Sequence, residues 1–171
     1  MSEQVEQPAP SPVVALIVLV AVVIAVAGFL ALAHLLAIEA VYAGFLFILY
    51  WTGIRHSAWE EFIPSLLGAF GGLALAAALH LMPIHYGTAG LVVSLALVLL
   101  AIYLLIRQQL PRFVNMSFML LLTVTTVPVI TADAPYVDMA LAIAVGAAYV
   151  AGLMWLLGVV QKRRLEKSPA A

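Results

Sequence analysis

Three pairs of side chains able to handle protons or cations recur along the chain: His34 with Glu39, His80 with His85, and Asp133 with Asp138. The members of each pair are five positions apart. A tyrosine stands in the same neighbourhood each time, Tyr42 in EAVYAG, Tyr86 in PIHYGTAG and Tyr136 in DAPYVDMA. Imidazole and carboxylate exchange protons near neutral pH or bind a cation through nitrogen and oxygen, and ionisable groups at membrane depth mark ion or proton routes. His34 and His80 fall on the apolar side of their segments, which leaves two readings open: proton or cation handling, and hydrogen bonding between helices. The aspartate pair reads as the polarity of a hydrated loop, and His85, beyond Pro83, as hydrated too. A spacing of five does not stack two imidazoles on one helical face, and the H-E-x-x-H motif is absent, so no metal centre is expected.

What must position these groups follows from composition. The chain is 66% hydrophobic and 9% charged, against roughly 25% charged in an ordinary soluble domain. Its apolar residues run in continuous blocks, and about 20 such residues span the ~30 Å hydrocarbon layer as a helix. Backbone groups in lipid need internal partners, and blocks without inside/outside alternation exclude a β-barrel. The expectation is an all-α, polytopic transmembrane bundle. A net charge of -1 with few basic residues gives no footprint for nucleic acid. The absence of cysteine removes disulfides, thiolate metal sites and a cysteine nucleophile together.

Six spans are expected, arranged as three hairpins: residues 12–36, 38–56, 62–82 stopped by Pro83, 88–106, 113–131 with Pro128 near its end, and 136–160. Residues 1–11 read as a disordered leader and 161–171 as a basic tail. The first apolar run is longer than a signal-peptide core and is expected to be retained. With six crossings all seven Lys and Arg residues fall on one side: Arg55, Arg107, Arg112 and the tail's Lys162, Arg163, Arg164 and Lys167. The positive-inside rule makes that side, and both termini, cytoplasmic. Five spans with an outside N-terminus also satisfy the rule if the short second run does not cross. Its flanks, Tyr42 at one end and Trp51 with Arg55 at the other, favour the crossing.

The run FVNMSFMLLLTVTTVPVIT is the most polar of the spans. Asn115, Thr123 and Thr126 recur at helical spacing and are expected to line a solute route, with Pro128 freeing the carbonyl of Val124. The competing reading is that the hydroxyls bond back to their own backbone. Gly68 and Gly72, extended by Ala76, form a small-residue packing face, as do Ala148 and Gly152. RHSAWEEF places Arg55, Trp59, Glu60 and Glu61 at the cytoplasmic surface, as an interfacial anchor or a gate.

The stretches YAGFLFILYWTGIRHSAWEEFIPSLLGAFGGLALAAAL and RFVNMSFMLLLTVTTV resemble a group of small six-helix bacterial inner-membrane proteins of unassigned function. More distantly they resemble the membrane half of fusaric acid resistance-like exporters. The resemblance implies a bacterial plasma-membrane location and solute movement, and carries over no catalytic or binding residue. The leading function is a small-solute or ion transporter, or channel-like protein, working as an oligomer, with no cofactor. The alternative is a non-catalytic accessory subunit packed on a larger membrane complex through its glycine faces. No Gly-x-Ser-x-Gly elbow or acidic diphosphate-binding motif points to an enzyme.

Overall fold

The chain begins its first helix where proline and serine cooperate. Helix α1 spans Pro12–Leu35, with Ser11 as its cap and Pro12 in the first turn, where a missing N–H leaves no bond unmade. It is apolar all round, and only Phe29 and Ala33 are buried. A helix without a polar face belongs in lipid or against other apolar surfaces. It docks on the last helix, where Gly28 lies beneath Tyr149 and the Tyr149 hydroxyl donates to the carbonyl of Ala25 at 2.8 Å.

The computed structural model describes residues 11–127 and 135–167, with side chains as far as residue 163. Helix α2 spans Val41–Leu49 and continues as a π-helical turn over Tyr50–Ile54. The widened turn seats Trp51 in full burial, and its indole N–H donates to the carbonyl of Ala58 at 2.9 Å. Trp51 also meets Phe62 edge-on, with ring centroids 5.0 Å apart. A short 3₁₀ turn, Trp59–Glu61, leads into α3, Phe62–Ile106.

Helix α3 is two limbs, not one rod. Gly87 has φ 58° and ψ -140°, a backbone that only glycine takes without strain, and it separates residues 62–86 from 88–106. Pro64 and Leu105 line one cavity, although a straight helix at 1.5 Å per residue would hold them roughly 60 Å apart. Ala76 and Ala101 likewise share one core cluster with Phe118 and Leu122. The expected stop at Pro83 is therefore corrected: the first limb runs past the proline and the reversal falls at Gly87. The limbs approach closely beside the turn, where a Cβ on Gly90 would strike the carbonyl of Met82.

Helix α4, Met116–Thr125, packs along α3, and helix α5, Tyr136–Lys167, packs along α2. Phe47, Trp51, Leu121, Met139 and Ile143 fill the centre and are fully buried. The described residues are helix, turn and loop, with no strand. Three helical stretches are long and apolar enough to cross a membrane: Pro12–Leu35, Trp59–Ile106 and Tyr136–Arg163. Val41–Ile54 and Met116–Thr125 are apolar but shorter than the ~20 residues of a perpendicular crossing. Boundaries also differ from expectation: α2 begins at Val41 rather than at residue 38, and α4 ends at Thr125 rather than at residue 131, with Pro128 outside the described residues. Helix α4 starts at Met116 rather than at residue 113, because Asn115 caps it, and α5 continues to Lys167, carrying the basic segment on as helix.

Candidate functional site

Helix α2 opens with Ala40 at its cap position, a residue with no side chain to satisfy the free amides there. Asp138 does so from 98 residues away. Its Oδ2 accepts hydrogen bonds from the amides of Ala40 and of Glu39, the latter at 2.9 Å. Asp138 also lies in the first turn of its own helix, α5. One carboxylate thus serves the positive ends of two helices, where negative charge is favoured. The aspartate read from sequence as loop polarity is a clamp between the α1–α2 connection and α5.

His80 reaches the same junction from the first limb of α3, with its ring centroid 6.0 Å from that of Tyr136. Tyr42, in the first turn of α2, and Tyr136, in the first turn of α5, pack against the same core cluster. The hydroxyls of Tyr42 and Tyr136 are buried and have no hydrogen-bond partner among the described residues. A buried hydroxyl left unpaired costs about 1–3 kcal/mol, and the hydroxyls of Ser65 and Ser117 share this state elsewhere in the bundle. Imidazole, carboxylate and two phenols are thereby gathered at one end of the bundle from three separate helices.

The other ionisable candidates lie outside this junction. His34 is exposed in the last turn of α1, and Glu39 is exposed, contributing its backbone amide to Asp138 rather than its carboxylate. His85 is exposed, with Nδ1 2.9 Å from the carbonyl of Leu81 on its own limb. Asp133 lies outside the described residues. No group of three His, Cys, Asp or Glu side chains able to hold a metal converges among the described residues.

The polar residues of α4 are engaged locally. Asn115 is buried. Its Oδ1 accepts from the amide of Phe118 at 3.2 Å, and its Nδ2 donates to the carbonyls of Pro64 at 2.7 Å and Pro111 at 3.3 Å. It latches the start of α4 to the start of α3. The Thr123 hydroxyl donates to Met119 O at 2.7 Å and that of Thr126 to Thr123 O at 2.9 Å. Thr123 faces outward, and Thr126 is half-buried. Within a single copy these side chains do not enclose a path.

The glycine faces divide in the same way. A Cβ on Gly68 would strike the amide of Asn115, and one on Gly72 the carbonyl of Phe118, so this face sits directly against α4. Ala148 and Gly152 are exposed, and a Cβ on Gly152 would meet nothing within 4 Å. The seam between α2 and α5 is instead Gly44 against Ala142 and Gly146. A Cβ on Gly44 would lie 2.5 Å from the Ala142 carbonyl oxygen, and one on Gly146 would lie 3.2 Å from Gly44 Cα. Ala142 and Gly146 have the small-xxx-small spacing in the sequence, a signal equal to that of Ala148 and Gly152.

At the opposite end, Arg55 Nε donates to the Tyr50 hydroxyl at 3.0 Å and lies 3.7 Å from Glu61. The hydrogen bond to Tyr50 favours the charged guanidinium and holds Arg55 above its ordinary value. Asp138 and His80 thus stand at one end, and Arg55, Arg112, Glu60 and Glu61 at the other. No protein-family model, curated protein or solved structure matches the chain.

Proposed function

We propose that the chain crosses a bacterial plasma membrane six times, with both termini cytoplasmic, and moves protons or a small solute as an oligomer. The observation that carries this reading is the convergence of His80, Tyr136, Tyr42 and Asp138, with two buried hydroxyls left unpartnered. Carboxylate, phenol and imidazole side by side can hold a proton or cation entering from the outer face. Large side chains fill the centre of one copy, so the route lies between copies, along outward-facing surfaces such as that of Thr123 on α4. The exposed small residues Ala148 and Gly152 allow a second helix to approach closely.

In liposomes the purified protein is expected to carry a proton flux, measured with an entrapped pH dye. His80→Ala is expected to lower that flux at least about tenfold. Wild-type flux that is unchanged by this substitution would exclude the junction as the proton or cation site.

The second reading, an accessory subunit of a larger membrane complex, is favoured by the bare apolar surface of α1, where Val13, Leu16, Ile17 and Ile24 are each at least 60% exposed. Silent vesicles, together with stoichiometric co-purification of other membrane subunits, would favour it over transport.

A further inference from the structure

The arginine-bearing end holds an open cavity of about 570 Å³, formed where the start of α3, the close of its second limb and the start of α4 meet. Its floor is apolar, built by Pro64 and Leu105, and its lining includes Arg55, Arg112, Gln108 and Glu61. Two guanidinium groups against one carboxylate leave a single positive charge. Arg55 is already turned toward Tyr50 and Glu61, whereas Arg112 is exposed and makes no ion pair among the described residues. Large apolar side chains stand exposed in the same connection: Ile106 (76%), Leu110 (58%) and Phe113 (52%).

We propose that this cavity holds the headgroup of an anionic phospholipid, with Arg112 and Gln108 on the phosphodiester and the acyl chains lying against the neighbouring apolar side chains. A phosphodiester carries one negative charge and matches the single positive charge of the lining. The guanidinium fork suits its paired oxygens, and basic pockets between helices at a cytoplasmic surface recognise such headgroups. A zwitterionic lipid brings a cation beside the arginines. A soluble phosphate gains nothing from the exposed apolar surface.

The test is lipid retention by the full chain in detergent, read by native mass spectrometry during titration with phosphatidylglycerol, phosphatidylcholine and glycerol phosphate. Phosphatidylglycerol is expected to bind at least tenfold more tightly than the other two, and Arg112→Gln to weaken it about tenfold. Leu105→Trp, which fills the floor without changing charge, is expected to weaken it as well, and Lys162→Gln on α5 to leave it unchanged. Equal retention by wild type and both cavity variants would overturn the site. Equal affinity for phosphatidylcholine would overturn the charge argument, and equal affinity for glycerol phosphate would overturn the lipid assignment. The readout is independent of proton flux, so this proposal and the transport reading can fail separately.

Discussion

Gly72→Leu is expected to lose the packing of α3 on α4, lowering stability by about 3 kcal/mol or more. The first atom added at Gly72 meets backbone, the carbonyl of Phe118 and the amide of Leu122, and neither can rotate away as a side-chain end would. The four-carbon side chain can fit only if the helices separate. That separation also pulls Asn115 from its bond to Pro64 at the start of α3, because Gly68 and Asn115 lie on the same seam. Gly158→Leu is the matched control: its added atoms enter open space, and the expected change is within about 0.5 kcal/mol. Thermal unfolding of the two variants in one detergent, followed by circular dichroism, separates them. Equal stability would mean that the α3/α4 seam is not where the structure places it.

Asp138→Ala should cost about 1–2 kcal/mol, because two amides at the start of α2 lose their acceptor. Asp138→Asn keeps an oxygen in the same place and loses only the charge-assisted part of the bonds, so it should retain about half of that stability. The order wild type, Asn, Ala in unfolding midpoint is the expected result. An Asn variant as unstable as the Ala variant would show that charge at two helix ends, not hydrogen bonding, holds the junction. The same pair probes function: with the clamp released, Tyr136 is no longer held beside His80.

Much of the helical content was legible because apolar blocks need no tertiary information. The first helix and the last begin where Pro12 and Tyr136 placed them. What escaped depended on contacts between distant segments. Pro83 looked like the natural break, yet a proline removes one helical bond, whereas Gly87 permits a backbone reversal that other residues resist. Asn115 looked like part of a polar stripe, but a cap position claims its side chain before any solute can.

Gly146 and Gly152 carry similar sequence signals. Only the position of α2 decides that Gly146 meets Gly44 while Gly152 faces outward. Asp138 was assigned to a hydrated loop because nothing local reveals that α2 lacks a cap of its own side chain. The meeting of His80 with Tyr136 likewise depends on how α3 folds back, which spacing along the chain does not encode.

The central claim, that the end holding Asp138 and His80 faces outward and the end holding Arg55 and Arg112 faces the cytoplasm, is tested most directly by single-cysteine labelling, for which the cysteine-free chain is already suited. Cysteines replacing Ala37 and Tyr86 should react with a membrane-impermeant maleimide in intact cells. Those replacing Ser57 and Gln109 should react only in inverted vesicles. Protection of Ala37→Cys and Tyr86→Cys with labelling of Ser57→Cys in intact cells would reverse the orientation. Opposite behaviour of Ala37→Cys and Tyr86→Cys would break the six-crossing arrangement itself.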